Sequence, residues 1–355
     1  MTKKKSILDS NLLYTFISII AGFLIGAIFL AVAGISPIAA YGKLITGVIS
    51  KPKFIVYTLV YASPIIFTGL SVAFSFRTGV FNIGAEGQFV IGAMVSAVLG
   101  IVLDLPPVIH AFVCLLGAAA AGAIWSLLVG LMKVKRGIHE VLSFIMFNWI
   151  AFYLSNYVVN LPGIKHESKE ATVDLADSAR ILLPESVRNF LGCDAANWGI
   201  VFAVIAAIIV WFVIEKTTLG FKLKAVGCNE NGAQFAGINS DRSVLTALGI
   251  SGALSGIGGA VQILGIGGRL AQYAGQEGYG FEGISVALIG SSSPIGCIFS
   301  GIFYGAMKYG GSKLTLVGAP SEVIDIIMGC VILLIAISAV FKVLFQKIGK
   351  KKEVK

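Results

Sequence analysis

Long apolar runs alternate with short polar breaks from one end of the chain to the other. Ten runs stand out, over about 12–34, 54–76, 88–103, 107–131, 140–159, 198–214, 243–266, 280–291, 295–310 and 322–345. A helix needs roughly 20 residues to cross a bilayer, and most of these runs are near that length. Within them no polar face recurs at helical spacing, as it would on a soluble amphipathic helix. The pattern predicts an all-α polytopic membrane protein of about ten transmembrane helices, organised as one transmembrane domain over 1–355. The eighth and ninth runs are short and broken by Gly or Ser.

Composition strengthens this reading. The 355 residues are 57% hydrophobic and 13% charged, against about 25% charged in an ordinary soluble domain. The net charge of +9 would suggest nucleic acid in a soluble protein. Here much of the excess sits at the ends and in short loops. Lys3, Lys4 and Lys5 open the chain, and Lys350, Lys351, Lys352 and Lys355 close it. Such clusters orient membrane proteins and meet anionic lipid, so membrane lipid is an expected partner and nucleic acid is not. With 1–11 on the cytoplasmic side, ten spans place the basic tail 346–355 there too. The loops KVKRGIHE (133–140) and 215–242, both rich in Lys and Arg, then fall inside, and the more acidic 160–197 loop falls outside. Lys43, Lys51 and Lys53, in the presumed outer loop 35–53, run against this orientation. Trp198 and Trp211 bracket the sixth span, as aromatic belts do. Gly22 and Gly26, Gly252 and Gly256, and Gly301 and Gly305 have the spacing that lets helices approach closely.

Two interior stretches break the apolar pattern. RTGVFNIGAEGQ (77–88) lies between the second and third runs, and GQEGYGFEGISVALIG (275–290) enters the eighth. Each has clustered glycines, a Phe and an acid beside a Gly, Glu86 and Glu282. Gly-interrupted segments in the two halves of a transporter mark its substrate path, and an acid at membrane depth is costly enough to face the protein interior. Phe81, Asn82, Glu86, Gln88, Asn148 and Glu282 are the candidate residues of such a path. For Glu86 two roles stay open, contact with substrate or a structural place in the first turn of a helix, where a carboxylate suits the macrodipole.

The inner segment EKTTLGFKLKAVGCNENGAQFAGINSDR (215–242) is polar without being low-complexity. Asn229 suits a helix cap, Glu230 to Ala236 reads as a short amphipathic helix, and Gly237 suits its end. A cytosolic helix held across the membrane surface is a docking site for a partner. No G-x-x-x-x-G-K-[ST] occurs, so no ATP-binding loop is expected on this chain. GYGFEG (278–283) matches G-x-G-x-x-G but lacks a strand before it. The five cysteines and three histidines are scattered, so no metal site is expected. No catalytic constellation stands out.

Four stretches together resemble one family. FNIGAEGQF (81–89), followed by IGAM (91–94), looks like the permeases of ATP-binding-cassette (ABC) importers for nucleosides or simple sugars, the group that works with basic-membrane lipoproteins. These are related to ribose and branched-chain amino-acid permeases. KVKRGIHEVLSFIMFNWIA (133–151) is similar to the family pattern at Gly137, Glu140, Val141, Ile145, Met146 and Asn148. It departs at His139, Leu142, Ser143 and Phe144. LGFKLKAVGCNENGAQFAGI (219–238) resembles the coupling segment, and GFEGISVALIGSSSPIG (280–296) a second family motif. The resemblance covers roughly 54–345 and suits the larger of two paired permeases. It implies a type II-like importer permease, not an enzyme, in a bacterial cell membrane with both termini cytoplasmic. Nucleosides are the expected substrate and simple sugars the alternative; an ion-coupled secondary transporter is a more distant one. The resemblance implies three partners: a second homologous permease, a cytosolic ABC ATPase and an extracellular substrate-binding lipoprotein. No cofactor is expected on this chain; ATP and Mg would sit on the ATPase. Coupling to it would pass through Val226, Gly227, Asn229, Glu230, Ala233, Phe235, Ala236 and Gly237.

Overall fold

The computed structural model describes residues 11–320 and 323–337. The basic runs at 3–5 and 350–355 lie outside them, as does the end of the tenth apolar run. Among the described residues the chain is helical, with isolated β-bridges and no strand. The helices are α1 (Asn11–Val32), α2 (Pro37–Ile49), α3 (Pro52–Phe76), α4 (Ala85–Val102), α5 (Ile109–Arg136), α6 (Glu140–Val159) and α7 (Glu185–Leu191). They continue with α8 (Gly199–Lys216), α9 (Thr218–Cys228), α10 (Glu230–Phe235), α11 (Ser240–Gln262), α12 (Tyr279–Ile289), α13 (Pro294–Gly311) and α14 (Val323–Ala336). Seven segments are long and apolar enough to cross a membrane: Thr15–Val32, α3, α4, α5, α6, α8 and Ser240–Gly267. The last is α11 prolonged by a π-helical turn, Ile263–Gly267.

Among the described residues every predicted apolar run falls on a helix, but two expectations change. The supposed outer loop 35–53 carries α2, whose start is set by Ser36, whose hydroxyl accepts from the Ala39 N–H, and by Pro37 at the first helical position. The eighth run is α12, 11 residues long, about half of what a bilayer crossing requires.

The described residues form two compact units, 52–306 and a smaller one built from 11–51 with 307–320 and 323–337. In the smaller unit α1 packs on α14: Gly22 lies against Val331 and Gly26 against Ile327. Ser18 donates to the Leu334 carbonyl at 3.1 Å.

In the larger unit α11 is central and touches α3, α4 and α5. Small residues make this possible. Gly252 lies against the backbone of Gly122 and Gly256 against that of Ala118. Gly301 and Gly305 likewise seat α13 on Ile66 and Ala62 of α3. All three glycine pairs seen in the sequence therefore sit in close helix contacts. Inside α3, Pro64 removes the N–H that would serve the Val60 carbonyl; the Ser63 hydroxyl donates to that carbonyl instead, at 2.9 Å.

Candidate functional site

The first break begins where α3 ends. The chain turns at Arg77–Gly79, with Gly79 at φ +75°, and climbs in irregular form to Gly84. Buried backbone outside a helix must find partners within the protein, and here side chains supply them. The Asn82 and Gln88 amides pair reciprocally, at 3.0 Å each way. Asn82 Nδ2 also donates to Ser251 Oγ at 2.6 Å, and Asn82 Oδ1 accepts from the Gly84 N–H at 3.1 Å. Ser251 donates in turn to the Ser71 carbonyl at 2.8 Å. Asn148 of α6 grips the segment from the other side. Its Oδ1 accepts from the Gly87 N–H at 2.9 Å and its Nδ2 donates to the Ile83 carbonyl at 3.1 Å. Ser255 donates to the Ala85 carbonyl at 2.6 Å.

Gly84 and Gly87 are glycines because α6 leaves no room for more. A Cβ on Gly84 would overlap the Phe144 ring, and one on Gly87 would sit 2.8 Å from Asn148 Oδ1.

The second break, 268–278, enters from the opposite end of the unit. Its first residues pair with the 160–197 segment: the Thr172 N–H donates to the Leu270 carbonyl at 2.8 Å and the Leu175 N–H to that of Gly268 at 3.0 Å. Further in, Asn156 of α6 brackets Tyr273, donating to its carbonyl at 2.9 Å and accepting from its N–H at 2.8 Å. The chain then reaches Gly278, at φ +86°, and α12 starts.

The two breaks meet at Glu86. Its carboxylate is 1% exposed. Oε1 accepts from the Gly278 N–H at 2.8 Å and Oε2 from the Gly280 N–H at 2.7 Å. The first N–H groups of a helix have no partner inside it and carry the positive end of its dipole. Glu86 stands in the first turn of α4 and satisfies two such groups at the start of α12. One carboxylate thus serves two helix N-termini. Gly280 permits the approach, since any side chain there would overlap the backbone of Glu86. Around the junction, Thr68 donates to the Tyr279 carbonyl at 2.9 Å and Phe89 stacks on Tyr279 with ring centres 4.9 Å apart.

From this junction the helices diverge. The C-terminal end of α4 reaches the 160–197 segment, where the Ala176 N–H donates to the Gly100 carbonyl at 3.0 Å. α12 runs the other way, and the turn after it returns to the first break: Arg77 Nε donates to the Ser292 carbonyl at 3.2 Å. The 77–88 segment therefore holds both ends of α12.

Of the six path candidates, Asn82, Glu86, Gln88 and Asn148 are all buried at the first break: Asn82 and Gln88 bond to each other, Asn148 to the backbone of Ile83 and Gly87, and Glu86 to the start of α12. Phe81 is 38% exposed and stacks on Phe76. Glu282 lies half-buried on the first turn of α12. Sequence reasoning missed Ser71, Arg77, Asn156, Ser251 and Ser255. Each is a single polar residue beside or within an apolar run, with a partner that folding alone brings near.

On the inner segment, α9 starts at a Thr217 cap and ends at Asn229. Asn229 Oδ1 accepts from the Gly232 N–H at 2.9 Å and so caps α10. Gly237, at φ +80°, closes it: the Gly237 N–H donates to the Gln234 carbonyl and the Ile238 N–H to that of Ala233, both at 2.9 Å, the pairing of a Schellman motif. Ala233 is buried while Phe235 is 95% exposed; Glu230 and Ala236 are exposed as well. Val226 is buried on α9, and Gly227 lies with its backbone against the Arg77 carbonyl. The inner segment thus touches the turn that begins the first break. Among the described residues, no group of His, Cys, Asp or Glu is placed to hold a metal ion.

Comparison with known proteins places this architecture. The guanosine ABC transporter permease protein NupP of Bacillus subtilis (strain 168) is 36% identical over 343 residues, 96% of this chain and 98% of NupP. The glucose ABC transporter permease protein TsgB13 of Haloferax volcanii is 30% identical over 337 residues, 92% of this chain and 87% of its own. A second guanosine ABC transporter permease protein of Bacillus subtilis, NupQ, is 28% identical over 264 residues, 74% of this chain and 81% of NupQ. No solved structure matches. The relatives are ABC permeases, which are transport components and not enzymes. A family described as "Branched-chain amino acid transport system / permease component" matches residues 54–336. The chain belongs to that family and is a multi-pass membrane permease.

Proposed function

We propose that this chain is a membrane-spanning subunit of an ABC importer and forms, with a second permease, the path for a nucleoside. The observation that carries the substrate class is the end-to-end match to a guanosine permease, 96% of this chain against 98% of that one. The match to a glucose permease supports simple sugars as the second reading. Two different guanosine permeases of one organism both match the chain, which supports a permease pair. On this reading ATP and Mg bind a separate cytosolic ATPase, and an external lipoprotein delivers the substrate. The protein sits in the bacterial cell membrane with its termini and the 215–242 segment on the cytoplasmic side.

The ATPase docks on α10, and its closure moves α9. Gly227 and Arg77 pass that motion to the turn at 77–79 and to the end of α12. Phe81 and Glu282 face the path, while Asn82, Glu86, Gln88 and Asn148 shape it from behind. The test is uptake of labelled guanosine and labelled ribose by the host organism with the gene deleted and then restored. We expect guanosine uptake to fall on deletion and return on complementation, with ribose unchanged. Loss of ribose uptake alone would establish the sugar reading. Purified alone in proteoliposomes, the chain should not concentrate nucleoside under an ion gradient; if it does, it is a secondary transporter.

A further inference from the structure

α9 lies between the ends of two membrane spans. Lys216 closes α8 and Asn239 caps α11, with the Arg242 N–H donating to Asn239 Oδ1 at 2.8 Å. Between α9 and the start of α11 is a cleft of about 300 Å³, lined by Leu219, Lys222, Ile238, Asn239, Arg242 and Thr246. It holds two cationic side chains, and among the described residues neither Lys222 nor Arg242 has a carboxylate partner. The neighbouring Lys224 does, pairing with Glu215 at 2.9 Å. Two like charges facing one cleft repel, and an anion placed between them relieves this.

The surroundings say where the anion comes from. α9 buries Leu223 and Val226 and exposes Phe221 and Lys222, as a helix lying in the membrane interface does. Lys216 sits over the Trp211 ring, 5.8 Å from its centre, an aromatic and a cation together at the end of a span. Leu219 and Ile238 add apolar lining beside the cations. A free phosphate would use neither the apolar wall nor the nearness of two spans; the headgroup and glycerol of a lipid would use both. Basic pockets between transmembrane helices bind anionic headgroups in this way.

We propose that the Lys222–Arg242 cleft binds the phosphate of an anionic phospholipid, between α9 and the Ile238–Asn239 link that joins α10 to α11. The proposal does not depend on the transported substrate. It is tested on the full-length chain in phosphatidylcholine nanodiscs doped with phosphatidylglycerol, counting the lipids retained on extraction by native mass spectrometry. We expect phosphatidylglycerol to be enriched over phosphatidylcholine by about five-fold or more, and millimolar inorganic phosphate not to displace it. Lys222→Gln with Arg242→Gln should abolish the enrichment at unchanged melting temperature, and Lys224→Gln should preserve it. Equal retention of the two lipids, or enrichment that survives the double variant, overturns the proposal. Displacement by inorganic phosphate overturns it in favour of a free-anion site. If the lipids are retained equally and the double variant instead loses a co-purifying ATPase, the cleft belongs to a protein partner.

Discussion

Glu86 occupies a position that cannot be exchanged for its amide without loss. Its two oxygens accept from two backbone N–H groups of α12, and hydrogen bonds to a charged group are the stronger kind. Gln at 86 would present one acceptor and one NH2 group, setting a donor against a donor. We expect Glu86→Gln to cost about 1–3 kcal/mol, seen as a lower melting temperature in detergent together with reduced uptake. Glu86→Ala should cost more. A Glu86→Gln protein that melts like the wild type would overturn the capping role. The candidate residues at 82, 86, 88 and 148 were legible because polar groups stand out in an apolar run. Their partners were not: Ser251 lies 169 positions from Asn82 and Gly280 lies 194 from Glu86, and no local pattern joins such distant positions.

At the scale of elements, the sequence was clearest where caps mark the ends. The run 140–159 coincides with α6, and the helix read over 230–236 with α10, Glu230–Phe235, because Asn229 and Gly237 do what their chemistry favours. α2 was passed over although Ser36-Pro37 is a good start signal, since three lysines drew 35–53 into the loops. The third run was read from 88, but α4 starts at Ala85, which puts Glu86 in its first turn, one of the two places the sequence had left open for it. For α10 we expect Asn229→Ala to weaken the cap by about 0.5–2 kcal/mol, read as faster amide exchange over 230–236. Phe235→Asp should leave folding intact, because the ring is exposed, yet uncouple ATP hydrolysis from uptake. Unchanged coupling in Phe235→Asp would remove α10 from the docking surface.

For the whole molecule, the tight centre of the larger unit rests on glycine. Gly256 lies against Ala118 and Gly122 of α5, and Gly92 of α4 lies against Gly256, so α11 meets two neighbours at nearly bare backbone. We expect Gly256→Val to force α4 and α5 away from it and to lower the yield of folded protein sharply, measured by monodispersity after extraction. A monodisperse variant at wild-type yield would show that the helices can separate there at little cost.

The junction of the two breaks also has an electrical consequence. Each helix N-terminus is equivalent to roughly half a positive charge, and those of α4 and α12 meet around one carboxyl group, so that a negative charge on it is balanced by the two halves. The membrane interior resists isolated charge of either sign. A centre balanced in this way raises little electrostatic barrier to an uncharged solute and gives no special welcome to an ion.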